Sequence, residues 1–207
     1  MKRTFALLLA VIILLASFSA CGNGKASKPS RGIWNEDKTE YENTFAELKV
    51  KLPEGWKAFE DDEISALIGS GMDIMGVPGG EFTQEMLEMK TIMDFIIQNP
   101  TTAETVFMGI ENLALTPGAT KMSTEELFEQ VVDISSMMGG DINFEFGEFY
   151  KSDAFGQEYE TMDATAEMMG MQMEQRYYIR RIGDYMIMIM INTTPLGMGM
   201  DNLVDVL

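Results

Sequence analysis

Methionine is the residue type in this chain that most strongly suggests chemistry. The chain contains 20 Met but only 12 Phe, and thioether sulfur is a soft ligand that suits Cu(I). If two groups of Met lie on neighbouring strands, their sulfur atoms can converge on one metal ion. Three groups are close together in the sequence: Met168, Met169, Met171 and Met173; Met186, Met188 and Met190; and Met198 with Met200.

The same methionines also have a structural interpretation. Met186, Met188 and Met190 alternate with three Ile residues, as a strand buried on both faces requires, and Met is a flexible filler of protein cores. A Met-rich surface can also adapt to an apolar partner. Three interpretations therefore stand: a Cu(I) site, a packed core, or a contact surface. The alternation with Ile favours the core.

The acidic residues and several aromatic residues could also form a site. Asp61-Asp62-Glu63 could hold a cation or supply a catalytic pair, but negative charge is equally favourable in the first turn of a helix. Residues 141–145 carry the alternating oxygen atoms of a calcium loop, but Gly147 comes one position late and the pattern is strand-like. Two carboxylates can hydrolyse a glycoside, although an acidic chain offers many such pairs. Three aromatic residues could stack on a ligand or belong to the core: Trp34, Tyr41 and Trp56.

The residue types that are missing restrict the chemistry further. The chain has no His and a single Cys, Cys21. This composition excludes catalysis by Ser-His-Asp and Cys-His groups, and it excludes zinc sites built from His and Cys. No nucleophile elbow or phosphate-binding loop is recognisable. We therefore assign no catalytic residue, no metal ligand and no cofactor, and expect a protein that is not an enzyme.

The N-terminus has the three-part layout of a secretory signal. Lys2 and Arg3 precede the uncharged apolar run Phe5 to Ala20, which is the pattern of a cleaved signal peptide. The run has 16 residues, fewer than the roughly 20 that a transmembrane helix needs. We therefore predict a signal peptide over residues 1–20 rather than a membrane-spanning helix.

The end of this signal resembles a known processing site. The sequence Phe18-Ser19-Ala20-Cys21-Gly22 resembles the lipobox of bacterial lipoproteins, although Phe stands where Leu is usual. The resemblance implies that Cys21 receives diacylglycerol and becomes the new N-terminus. Two or three acyl chains anchor a protein stably. We expect a protein anchored by lipid to the cell membrane and facing outside the cytoplasm, with a flexible tether over 21–32.

The charge of the processed chain limits its partners. Removing residues 1–20 leaves 13 basic and 33 acidic residues, a net charge of −20. Nucleic acid demands a basic face, and an anionic bilayer repels an acidic surface. We therefore expect no nucleic acid, contact with the membrane through the lipid anchor, and a protein partner at the cell envelope.

The hydrophobic pattern of residues 33–207 predicts one α+β domain, an antiparallel sheet flanked by three or four helices. Tyr185 to Ile191 is apolar on both faces and should be a central strand beside the strand from Met171. Ser123 and Glu126 occupy the reciprocal positions of a capping box. Strands are expected over 48–52, 91–98, 105–113, 142–150, 159–166, 171–181 and 185–192, and helices over 61–68, 83–90, from 123 to Gly139-Gly140, and from Thr194-Pro195 onward, with a Gly-rich loop over 69–80.

Three short patterns point to a family. Tyr41-Glu42-Asn43, Leu52-Pro53-Glu54-Gly55-Trp56 and Ile182-Gly183-Asp184-Tyr185-Met186 resemble those of clostridial secreted lipoproteins of unknown role. Their domains are similar to the PsbP-like α/β/α sandwich, named for an extrinsic subunit of photosystem II. The resemblance implies this fold for residues 33–207 and a non-catalytic binding or assembly role, but no site residues. A Met-based Cu(I)-binding lipoprotein and a carboxylate-dependent hydrolase are the alternatives.

Overall fold

The computed structural model describes residues 29–74, 90–129, 142–168 and 171–207. Within them lie helix α1, Asp61–Ile74, helix α2, which begins at Thr124 and is described over 124–129, and helix α3, Met200–Val206. Two 3-10 turns cover Leu113–Leu115 and Ala119–Lys121. The strands are β1 Ile33–Trp34, β2 Glu40–Asn43, β3 Leu48–Lys51, β4 Lys57–Ala58, β5 Thr91–Gln98, β6 Thr105–Asn112, β7 Ile142–Ala154, β8 Gln157–Met168, β9 Met171–Ile182 and β10 Tyr185–Thr193.

The described strands form two antiparallel sheets. The large sheet has the order β4-β5-β6-β10-β9-β8-β7, and the small sheet has the order β1-β2-β3. Every residue of β10 is buried, and β10 lies between β6 and β9. The predicted doubly covered central strand is therefore confirmed, as is the turn at Gly183-Asp184 that joins it to β9.

One face of the large sheet is rich in methionine, and we call it the methionine face. It is covered by Ile64 of α1, by Leu113 of the first 3-10 turn and by Leu127 and Phe128 of α2. All four residues are buried, so α1, the first 3-10 turn and α2 lie on this side. The face consists of Met93, Ile96, Phe107, Met162, Ala164, Tyr177, Ile179, Met186, Met188 and Met190.

The opposite face, which we call the isoleucine face, packs against different elements. Tyr41, Leu48 and Val50 of the small sheet cover it, together with Leu203 of α3. The aromatic rings of Tyr41 and Phe95 lie 4.7 Å apart, centroid to centroid. This face consists of Phe95, Ile97, Val106, Met108, Ile110, Tyr159, Tyr178, Tyr185, Ile187, Ile189 and Ile191.

The antiparallel sheet is confirmed, but its flanking layers differ from the expected helices on both sides. On the isoleucine face the small sheet occupies most of the place predicted for a helical layer. The physical reason is the alternation in Glu40–Asn43 and Leu48–Lys51, where every second side chain is buried. A pair of strands with one apolar side can replace a helix as the layer that covers a sheet.

The final helix begins later than predicted. Thr194-Pro195 starts a turn, closed by a 2.9 Å hydrogen bond from the Gly197 N–H to the Thr194 carbonyl. The buried Glu104 carboxylate then accepts the Met198 N–H at 2.9 Å. Because these bonds hold the chain in a turn, helix α3 starts only at Met200.

Helix α1 also departs from the prediction at both ends. Asp61 is its first residue rather than its cap; the Glu63 carboxylate instead accepts the Glu60 N–H at 2.9 Å. The helix continues to Ile74, through the first part of the predicted Gly-rich loop. A glycine costs roughly 1 kcal/mol in a helix, which is too little to end one that is otherwise supported. Residues 75–80 lie outside the described residues.

The capping box at the start of α2 is confirmed. Glu126 N–H donates to the Ser123 hydroxyl at 3.1 Å, and Ser123 N–H donates to the Glu126 carboxylate at 2.7 Å. Leu127 is buried, as the predicted apolar face requires. The other positions predicted for this helix lie outside the described residues: Val131, Ile134, Met138 and Gly139-Gly140. The helix predicted over 83–90 also lies outside them, except for Lys90.

An extra residue in β5 fastens the N-terminal segment to the large sheet. The register between β5 and β6 shifts between Met93 and Phe95, so Asp94 forms a bulge. Its buried carboxylate accepts hydrogen bonds from Tyr41, from Asn43 and, at 2.9 Å, from the Gly32 N–H. Burial raises the pKa of Asp94, while these three donors act in the opposite direction. Asp94 therefore joins the first residues of the fold to the second strand of the sheet.

Candidate functional site

A bulge interrupts β7, the last strand in the order of the large sheet. The register between β7 and β8 shifts between Phe146 and Phe149, so Gly147 and Glu148 lie opposite Asp163. A Cβ atom on Gly147 would lie 3.0 Å from the Asp163 carbonyl oxygen, which explains the glycine. Bulges redirect side chains and are common beside functional sites. Here a groove lies on each side of the bulge.

The first groove, which we call the aromatic groove, lies between α2 and the bulge and has a volume of about 630 Å³. Its apolar lining consists of Phe128, Phe146, Phe149 and Met162. Phe128 is buried and packs edge-to-face on Phe149, with ring centroids 5.7 Å apart and planes at 82°. Phe146 and Phe149 are only half-buried. These two rings therefore leave part of their surface available to a ligand.

Three glutamates form the rim of the aromatic groove. Glu125 and Glu129 lie four residues apart on α2, and hence on one helix face, while Glu148 belongs to the bulge. All three are exposed. Among the described residues, no Lys or Arg forms an ion pair with any of them. The negative charge of this rim is therefore open to an incoming cation.

The second groove, about 500 Å³, lies on the other side of the bulge and carries a closed network of charges. Arg176 Nε donates to Asp163 at 2.6 Å, and Arg176 Nη1 donates to Asp201 at 2.8 Å. Although burial opposes it, these hydrogen bonds raise the pKa of Arg176. Tyr150 donates to Asp163 at 3.0 Å. Each charged group of this network already has a partner. The network therefore holds β7, β8, β9 and α3 together and is less suited to binding a ligand.

The Tyr150 hydroxyl belongs to the same network. Burial, followed by the hydrogen bond to Asp163, raises the pKa of Tyr150 to about 12. The phenol therefore stays protonated at neutral pH and acts as a donor, not as a base.

The methionine side chains that the structure describes do not gather at one place. Met186, Met188 and Met190 are at most 3 % exposed and belong to the methionine face. The strands β9 and β10 are adjacent as predicted, but Met190 pairs with Tyr177, four residues along β9 from Met173. Met173 and Tyr177 are therefore roughly 13 Å apart along β9, at about 3.3 Å per residue, so Met173 does not lie opposite Met190.

The remaining methionines are also dispersed. Met173 packs with Ala166 against Phe144, and Met200 lies on the isoleucine face, on the other side of the sheet from Met188. Met198 is 37 % exposed. The predicted positions that lie outside the described side chains are Met168, Met169 and Met171.

The predicted acidic and aromatic sites have structural roles. Asp61 is exposed and pairs with Arg31 at 3.1 Å, and Glu63 accepts a hydrogen bond from Lys57, which lowers the pKa of Glu63. From Ile142 onward the segment with alternating oxygen atoms belongs to strand β7, as its strand-like pattern predicts, and an extended strand does not wrap around an ion. Among the described residues, no group of three or more acidic or Cys side chains could hold a metal ion.

The candidate ligand-stacking aromatics belong to the core. Tyr41 and Trp56 are buried, and Trp34 is half-buried with its ring 5.2 Å from that of Tyr41. The aromatic groove, in contrast, was not predicted from the sequence. A signal for it exists in the spacing of Phe144, Phe146 and Phe149, where strict alternation breaks after a glycine inside a strand.

One buried ion pair lies apart from both grooves. Lys90 Nζ lies 3.7 Å from the Glu111 carboxylate, and both side chains are less than a tenth exposed. Glu111 pairs across the sheet with Met186 and therefore lies on the methionine face. Burial raises the pKa of Glu111 to about 7, and burial lowers the pKa of Lys90. Both shifts favour the neutral forms, so this pair is costly to keep charged.

Comparisons with known proteins give a structural likeness but no family. No protein-family model matches the chain, and no curated protein matches it. The chain is similar to the solution structure of cyanobacterial PsbP from Synechocystis sp. PCC 6803, with 14 % sequence identity, 86 % of each chain covered and a TM-score of 0.39. In the part of the chain that the structure describes, no helix is long and apolar enough to cross a membrane.

Proposed function

We propose that this chain is a non-catalytic, lipid-anchored domain that binds a ligand outside the cytoplasm, and that the aromatic groove is its binding site. The support for the location comes from residues 1–20 and Cys21, which have the layout of a lipoprotein signal. The patterns around Gly55 and Gly183 support a secreted lipoprotein of the clostridial type with a PsbP-like domain.

The observation that carries the binding site is the pairing of exposed ring surface with unpaired carboxylates. Phe146 and Phe149 are half-buried beside the exposed rim of Glu125, Glu129 and Glu148. A volume of about 630 Å³ lies within the usual range of about 300–1,000 Å³ for small-molecule sites. Binding fits this groove better than catalysis, because the described residues that line it include no nucleophile placed beside a base.

A photo-crosslinking experiment tests the site in intact cells. A benzophenone amino acid replaces Glu148 in the full-length protein, and a control protein carries it at Glu36, which is exposed in the turn after β1. We expect crosslinked products from position 148 that are absent from position 36 and that are lost when Phe149→Ala is added. Equal products from both positions, or none from position 148, would contradict the proposal.

The lipid anchor is tested separately. Cys21→Ser should abolish labelling by a radioactive fatty acid and leave the unprocessed precursor, because the thiol that receives the lipid is gone. Lys25→Ala in the predicted tether is a matched control that should label normally. Labelling of the serine variant at the wild-type level would show that the anchor is not on Cys21.

A further inference from the structure

Both sides of the aromatic groove carry negative charge beside apolar surface. Glu125 and Glu129 belong to α2 on one side, and Glu148 belongs to the β7 bulge on the other. The half-buried phenyl rings of Phe146 and Phe149 line the same groove. A ligand that matches this arrangement has positive charge at both ends and an apolar segment in the middle.

From this arrangement we infer that the aromatic groove binds a linear aliphatic diamine, with one ammonium group held by Glu125 and Glu129, the other by Glu148, and the methylene chain lying on Phe146 and Phe149. The inference rests on the proposed binding function and names the chemical class of its ligand. Methylene groups bury well against phenyl rings, and an ammonium group over an aromatic face gains further from cation–π attraction.

Other occupants fit the groove less well. An anion would meet the unpaired carboxylates of Glu125, Glu129 and Glu148 and be repelled. A purely apolar ligand would leave those carboxylates without a partner, and a compact metal ion would gain nothing from the phenyl rings. A ligand with one ammonium group would satisfy only one side. Charge complementarity at both sides therefore selects the diamine.

The overall charge of the protein supports capture of such a ligand. The processed chain carries a net charge of −20, and a surface of one sign raises the local concentration of counter-ions and their association rate. This attraction is non-specific, however, and any variant that removes one acid will weaken it. The test must therefore separate the groove from the general charge.

The experiment uses calorimetric titration of the full-length lipoprotein in neutral detergent with 1,5-diaminopentane. Pentylamine, with one charge, and 1,5-pentanediol, with none, are the matched ligands. We expect the diamine to bind at least tenfold more tightly than pentylamine and the diol not to bind. Equal affinities for the diamine and the monoamine would overturn the inference.

Variants then assign the contacts. Glu129→Gln and Glu148→Gln should each weaken diamine binding about five- to tenfold, and Phe149→Leu, which keeps an apolar side chain but removes the ring, should weaken it about two- to fivefold. Glu54→Gln changes the charge equally in an exposed turn and should weaken binding by less than about twofold, because it alters only the general attraction. If Glu54→Gln weakens binding as much as Glu129→Gln, only the general charge is acting.

The outcome is distinguishable from that of the crosslinking experiment. Crosslinking from position 148 without diamine binding would reject the ligand class and leave the binding site in place. Failure of both would reject the site itself. Thermal unfolding of each variant, expected within a few degrees of wild type, shows that a loss of affinity is not a loss of fold.

Discussion

The two faces of the large sheet come from the same strands but are covered in different ways. In β10 the alternate residues Ile187, Ile189 and Ile191 pack against the small sheet and α3, while Met186, Met188 and Met190 pack against the helical side. Ile is stiff at its first side-chain torsion, whereas Met adapts to irregular gaps. The stiff face is closed by a second sheet, and the adaptable face contains the aromatic groove.

The buried carboxylates differ between the two faces as well. Asp94, which accepts from Tyr41 of the isoleucine-face layer, has three hydrogen-bond donors. Glu111 lies on the methionine face with Lys90 as its ion-pair partner. Burial raises the pKa of both carboxyl groups, and it raises that of Glu111 to about 7. A buried carboxylate with several donors fastens a structure, whereas one with a single buried cation makes its stability depend on pH.

The largest effect should come from a charge placed in the middle of the methionine face. Met188 is 1 % exposed, and Met188→Asp would bury an unpaired carboxylate at a cost of several kcal/mol, against a typical total stability of about 5–15 kcal/mol. We expect the variant to lose its cooperative thermal transition. Leu196→Asp, at a position that is 80 % exposed, should melt within a few degrees of wild type. A normal melting curve for Met188→Asp would place this face at the surface.

The next effect compares the two faces directly. Ile189→Ala should lower the free energy of unfolding by about 2–5 kcal/mol, because a rigid layer cannot collapse into the cavity. Met188→Leu, which is nearly volume-matched, should cost under about 1.5 kcal/mol. Urea denaturation measures both. A cost of Met188→Leu as large as that of Ile189→Ala would mean that the methionine face cannot accommodate the branched side chain.

The pH dependence of stability should reveal Glu111. Its folded pKa of about 7 exceeds the ordinary value of 4.5, so between these values the folded protein keeps a proton that the unfolded chain has lost. Stability should therefore fall as the pH rises through this window, by up to roughly 3 kcal/mol. The lowered pKa of Lys90 has the opposite sign and acts at alkaline pH. Glu111→Gln should flatten the slope between pH 4.5 and 7, measured by urea denaturation; an unchanged slope would assign it to other groups.

The smallest effect should come from the Asp94 cluster. Tyr41→Phe removes one of the three donors to the buried carboxylate and leaves Asn43 and Gly32 in place. We expect a loss of about 1–2 kcal/mol in the free energy of unfolding. Tyr150→Phe removes an exposed hydrogen bond to Asp163 and should cost less. If Tyr150→Phe lowers the free energy of unfolding more than Tyr41→Phe does, the ranking of the two hydrogen bonds is reversed.

The sequence was sufficient for the elements whose signals are local. Strand β5 follows the predicted range Thr91 to Gln98, and the Ser123 and Glu126 capping box forms as predicted. Strands β1 and β4 have two residues each, too few to show a periodicity. Such short strands form only because their partners hold them.

The candidate groove was missed for a related reason. Its shape depends on a register shift between β7 and β8 and on Phe128 packing against Phe149, two contacts between distant parts of the chain. The phenylalanines and the glycine could be read from the sequence, but which helix would cover them could not. Whether methionines of β9 and β10 converge could likewise not be read from the sequence, because the adjacency of these strands does not set which residues lie opposite one another.

The Asp94 cluster has a mechanical consequence for a chain held at its N-terminus. A pull along the chain enters the fold at residues 30–32, where Ser30 accepts from Asn43 at 3.3 Å and Gly32 donates to Asp94 at 2.9 Å. At the other side of the small sheet, Lys51 N–H donates to the Leu207 carbonyl at 2.7 Å. The small sheet is thus bonded at both edges, so tension from the proposed anchor at Cys21 would reach β5 through the donors of the buried Asp94 carboxylate.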